Sequence, residues 1–125
     1  MSYIYSNPNP LGKNTNDCVV RALCLVLNQS WDRTYDELSI TGKDLCEPFN
    51  SDTVWWTYLK RKGFYREFVS DRCPDCYSIR EFCLDHPIGR FVVKASKHVI
   101  AVIDGDYYDT WNSGNEIPLY FVTRS

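Results

Sequence analysis

In the first half of the chain, apolar residues recur at helical spacing. In the last third they gather into short runs rich in Val, Ile, Tyr and Phe. The first helical pattern spans residues 18–27, where Val19, Ala22, Leu23, Val26 and Leu27 fit the three–four spacing. Val20 and Leu25 make this stretch apolar nearly all round, which predicts a central, buried helix. Ser30 stands where a cap belongs for a second helix, residues 31 to about 40, with Trp31, Tyr35 and Leu38 on one face. Residues 41–50 contain Gly42 and Pro48 and read as a loop. Ser51 or Asp52 opens a third helix through Lys62, striped by Val54, Trp55, Tyr58 and Leu59, and Gly63 follows as a C-cap glycine.

Residues 64–69 read as a strand. Ser78, with Glu81 three residues on, forms a capping-box pattern that starts a short helix to about residue 85. Four strand-like runs follow, at residues 90–95, 98–103, 106–111 and 117–122. Asp104-Gly105 between two of them is a hairpin signal. Helices first and then an antiparallel β-meander is an α+β order. Neither an internal repeat nor a composition break divides it, so residues 1–125 read as a single domain.

Composition narrows the function classes. The net charge is −2 and the basic residues are scattered, so neither nucleic acid nor an anionic membrane is an expected partner. The first ten residues lack a basic segment followed by an apolar one, and no apolar run is long enough to span a bilayer. The expectation is a cytoplasmic protein. Six cysteines without a secretion signal then point to free thiols, a reactive thiol or a metal site rather than disulfides.

The candidate chemistry begins where polar, turn-forming residues 14–17 meet the first apolar helix, with Cys18 at the junction and Asp17 or Asn16 available as N-cap. A cysteine there faces unpaired N–H groups and the positive end of the helix dipole, and both stabilise a thiolate. The same N–H groups can stabilise an oxyanion. His98 opens a strand and so sits at a sheet rim, where it can act as general base and acid. The next strand offers Asp109 and Asn112 as partners that fix the ring's tautomer. A two-residue Asp104-Gly105 turn puts Asp109 on the His98 face. A loop one residue longer puts Asn112 opposite His98.

From residues 14–23 and 96–114 the chain resembles a small papain-like cysteine peptidase, of the type encoded by phages and prophages. The resemblance extends over nearly the whole chain. It implies a papain-like fold and hydrolysis of a peptide or isopeptide bond, with a protein or peptide as substrate. Cys18 would be the nucleophile, His98 the base, and Asn112 the orienter ahead of Asp109. Papain-like enzymes place an oxyanion-hole glutamine about six residues before the cysteine. That position is Gly12 here, which turns attention to Asn14, or Asn16, as donor. The same residues would also serve acyl transfer or deamidation. A scaffold without catalysis that binds a host protein, in the host bacterial cytoplasm if phage-encoded, is the alternative from another class.

No cofactor motif is present. Cys73, Cys76, Cys83 and His86 have zinc-ligand spacing within each pair. The gap between pairs is short, however, and Cys83 falls on its helix's inner stripe, so no metal is expected. Cys24 reads as core and Cys46 as a loop residue without a partner. Trp31, Trp55 and Trp56 read as core, and Trp111 as a shield or packing residue beside the site. Residues 60–62 read as a solvated, basic helix end.

Overall fold

A computed structural model describes residues 2–69 and 77–124. In chain order the elements are β1 (Tyr3–Tyr5), α1 (Cys18–Leu27), α2 (Trp31–Leu45), α3 (Asp52–Lys60), β2 (Tyr65–Phe68), α4 (Ile79–Asp85), β3 (Arg90–Lys94), β4 (Val99–Ile103), β5 (Asp106–Asp109) and β6 (Tyr120–Thr123). The strands form one six-stranded sheet in the order β1-β5-β4-β3-β6-β2. The architecture is α+β with a mixed sheet. No helix among the described residues is long and apolar enough to cross a membrane.

The expected simple meander is corrected at both ends. β1 pairs in parallel with β5, Tyr3 opposite Tyr107, and so occupies the outer edge of the hairpin. The last strand therefore joins the sheet where an edge is left, antiparallel to β3, with Val92 opposite Val122. β1 is only three residues long inside a segment rich in Pro and Asn, too short for periodicity to reveal.

Each sheet face has its own core. Val20, Leu23 and Val26 of α1 pack with Leu38 of α2, Trp55 and Leu59 of α3, and Val92, Val99 and Ala101 of the sheet. On the opposite face Ile79, Phe82 and Cys83 of α4 pack with Val93, Ile100, Val102 and Tyr107. α1 is thus sandwiched between helices and sheet, as its nearly all-apolar surface requires. Ser30, Ser51 and Ser78 all cap as their positions suggest, accepting from the N–H groups of Arg33, Val54 and Glu81.

α2 runs five residues beyond the expected end, to Leu45. Gly42 does not break it. A Cβ at that position would lie 2.7 Å from the Glu47 carbonyl oxygen and 3.2 Å from Phe49 Cα. The glycine therefore admits the returning chain against the helix. Cys46 ends α2 in the left-handed conformation, φ 56°, and is exposed.

This contact predicts a sign. In an open helix interior Gly→Ala stabilises by roughly 1 kcal/mol. Gly42→Ala should instead destabilise by about 1–3 kcal/mol, because backbone atoms must move. Urea unfolding of the variant, with an unchanged m-value, checks it.

Candidate active site

Cys18 is the first residue of α1 and His98 immediately precedes β4. α1 packs along β4, which brings the two together: the His98 ring and the Val99 backbone stand close enough to the Cys18 sulfur to lower its pKa. On the ring's other side Nε2 lies 2.5 Å from Asp109 Oδ2. Since Asp109 occupies Nε2, Nδ1 is the ring nitrogen that remains for the sulfur. The indole of Trp111, 47% exposed, lies 5.0 Å from the imidazole centroid and covers the ring from solvent.

The hairpin register explains why Asp109 reaches the ring. Ile103 pairs with Asp106, so the turn is the two residues Asp104 and Gly105, with φ of 49° and 81°. Both positive φ values match the turn type that Asp-Gly favours. This register gives Asp109 the face shared with His98. The preference for Asn112 is therefore corrected. Its side-chain oxygen accepts instead from the Tyr107 hydroxyl at 2.6 Å, from the Gly114 N–H at 3.2 Å and from Arg80 at 3.5 Å.

Asp109 is buried and fully engaged. Oδ2 accepts from Ser113 Oγ at 2.6 Å as well as from His98. Oδ1 accepts from the Thr110 N–H at 2.8 Å and lies 3.6 Å from Arg21 Nη2. Arg21, 6% exposed, also pairs with Asp17. Asp17 holds the N-cap position of α1, but its side chain makes no capping bond. Its carboxylate turns to Arg21, to Trp31 Nε1 at 3.0 Å and to Asn9 Nδ2 at 3.2 Å.

Sequence reasoning missed Arg21 and Ser113. The signal for Arg21 was present: it is the only charged residue in the apolar run 18–27, and Asp17 precedes it by four, the spacing of a helical ion pair. Ser113 had no such signal, because only the loop after β5 brings it to the carboxylate.

The electrostatics favour an ion pair. Burial opposes a thiolate at Cys18, but the hydrogen bonds from His98 and the Val99 N–H, with the charges of His98 and Arg21, hold its pKa below the ordinary thiol value. Burial likewise opposes an imidazolium at His98. The hydrogen bonds to Asp109 and Cys18 and the charges of both outweigh it and raise the pKa to about 9. The other described core thiols go the opposite way: burial pushes Cys24 up to about 12 and Cys83 up to about 11.

A cleft of about 150 Å³ opens over the sulfur, lined by Cys18 and His98 with Asn16, Asp52, Lys94 and Lys97 among its walls. Asn14 is exposed and does not line this cleft; Asn16 does. The asparagine at the cleft is therefore Asn16, which corrects the choice of Asn14. Among the described residues no group of three or more His, Cys, Asp or Glu side chains is placed to hold a metal. Of the zinc-spaced set, Cys73 and Cys76 lie outside the described residues. Cys83 is buried in the α4 core, and His86 stacks on Phe82 at 3.9 Å.

The ring contact carries a direct test. In an NMR titration His98 should show a midpoint near 9. Asp109→Asn, which removes the carboxylate charge, should bring it down towards the ordinary value of about 6.5. Asn112→Ala should leave the midpoint much closer to that of the unmodified protein. Equal shifts in the two variants would contradict the Asp109 assignment.

In comparisons with protein families, curated proteins and solved structures, no match was found for this chain.

Proposed function

We propose that the protein is a thiol hydrolase of papain-like type that cleaves an amide bond in a protein or peptide. The observation that carries this is the chain Cys18–His98–Asp109, assembled from a helix start and two adjacent strands. The order of a helix-borne Cys, then His, then a carboxylate on the neighbouring strand is that of papain-like sites, with Asp in place of the more usual Asn. A cytoplasmic setting, within a bacterial host if the chain is phage-encoded, accords with free, reduced thiols.

The chemistry follows from the geometry. The Cys18 thiolate attacks the carbonyl carbon and forms a C–S bond. The oxyanion that develops would be met by the N–H groups at the start of α1, with Asn16 in the wall of the same cleft. The His98 imidazolium gives its proton to the leaving nitrogen as the C–N bond breaks, leaving a thioester. The neutral imidazole then takes a proton from water, whose oxygen attacks the thioester. Collapse of that second adduct restores the thiolate and imidazolium. Asp109 holds the ring in place throughout, and Trp111 limits water at the imidazole–carboxylate bond.

An electrophilic peptide-mimetic probe tests this reading. It should label Cys18 in preference to the other five thiols, and His98→Ala should cut the rate by roughly 10²–10⁴-fold, the usual range for losing a general base. The rate should be bell-shaped in pH. It falls on the acid side as the thiolate protonates at the lowered Cys18 pKa, and on the alkaline side as His98 loses its proton near 9. Labelling spread evenly over exposed thiols such as Cys46 would remove the proposal.

A further inference from the structure

Asp109 creates an electrostatic problem that a neutral asparagine would not. Its negative charge stabilises the His98 imidazolium, yet it also stands one ring away from the Cys18 thiolate, and two negative charges raise each other's pKa. The structure places a cation at this point. Arg21 lies three residues after Cys18 on α1, hence on the same helix face. Its Nη2 lies 3.6 Å from Asp109 Oδ1, the oxygen that His98 does not use, and its Nη1 pairs with Asp17. Nη1 also donates to the Thr15 carbonyl at 3.4 Å. A guanidinium buried in an apolar helix is costly to desolvate, and two carboxylates compensate it.

We propose that Arg21 is a positioning residue that lets an aspartate serve as the third member of the site. It fixes the Asp109 carboxylate from the helix that bears the nucleophile, so that the other carboxylate oxygen stays on the His98 ring and the imidazolium stays paired with the thiolate. This rests on the thiol reading of the site. The other charged and titratable groups around the pair are Asp17 at the start of α1, Asp52 of α3, Lys94 of β3 and Lys97 before β4. Lys94 is engaged by Asp52 at 3.3 Å, and the Tyr3 hydroxyl of β1 donates to the Asp109 main-chain oxygen at 3.1 Å. Arg21 is the cation among these that touches the Asp109 side chain.

A double-mutant cycle on the full chain tests the proposal, with iodoacetamide as the probe. Alkylation of Cys18 is followed against pH by peptide mapping, and Cys46 serves as the exposed reference. Arg21→Met should raise the Cys18 midpoint by about one pH unit, tenfold less thiolate at a given pH below it. Arg21→Lys, which keeps the charge, should recover most of that shift. In the Asp109→Asn background there is no carboxylate for Arg21 to hold against the His98 ring, only the direct effect of the Arg21 charge on the sulfur remains, and the Arg21→Met shift should fall to less than half. An unshifted midpoint in folded Arg21→Met overturns the proposal. So does an equal shift in both backgrounds, which would mean that Arg21 acts through Asp17 or on the sulfur directly. Should Arg21→Met lose its near-UV circular dichroism, Arg21→Gln takes its place under the same criteria. A Cys18 no more reactive than Cys46 in the unmodified protein is a separate outcome: it removes the hydrolase reading, whereas the midpoint shifts judge Arg21.

Discussion

The Asp109 carboxylate is the point on which the site and much of the local fold converge. It accepts from the ring of His98 before β4, the hydroxyl of Ser113 in the following loop and the N–H of Thr110, and it faces the guanidinium of α1. A buried carboxylate is tolerated only when its lone pairs are filled, and here they are. Hydrogen bonds to a charged group contribute about 1.5–3 kcal/mol each, and more is lost when one partner is removed and the charge stays buried. The site is therefore held in one geometry before any substrate arrives. On the proposed reading, a nucleophile, base and orienter arranged in advance would keep the barrier free of reorganisation.

That convergence also joins elements far apart in sequence. α1 is covered by helices on one side and by the sheet on the other, so its position is set by packing of Val20, Leu23 and Val26 rather than by its own N-cap. Asp17 sits where a capping side chain belongs and does not cap. Its carboxylate serves Arg21, Trp31 and Asn9, which ties the N-terminal segment and α2 to the start of α1. The helix start forgoes one local hydrogen bond, and the residue after it gains a fixed place against the sheet. The first N–H groups of α1 lie at the end that carries the thiol, where on the proposed reading a developing oxyanion would need them.

Much of this was legible in the residues, and the exceptions have physical causes. The buried character of α1, the three serine caps and the Asp-Gly hairpin are local signals, and each reappears in the structure. Cys18 and His98 were readable because both sit at element boundaries. The choice between Asp109 and Asn112 depended on one residue of turn length, and resemblance to papain-like sites pulled it towards asparagine while the turn itself favoured aspartate. Gly42 misled because a glycine's usual meaning as a helix breaker was overridden by a close backbone approach from Glu47 and Phe49. Ser113 and the crossing of β6 are products of long-range packing, which spacing along the chain does not encode.

Asn112 still shapes the site, one step removed from the ring. Its oxygen gathers the Tyr107 hydroxyl, the Gly114 N–H and Arg80 of α4, so the loop after β5 is fastened to both β5 and α4. The Arg80 and Ile79 N–H groups reinforce this by donating to the carbonyls of Gly114 and Glu116. Ser113, between Asn112 and Gly114, is thereby directed at Asp109, and Trp111 is held over the imidazole. The same short stretch supplies the carboxylate, the hydroxyl that steadies it and the indole that covers it. Asparagine at position 112 suits this task because its oxygen accepts several bonds without adding a charge beside Asp109, where another carboxylate would raise the energy of every anion in the site.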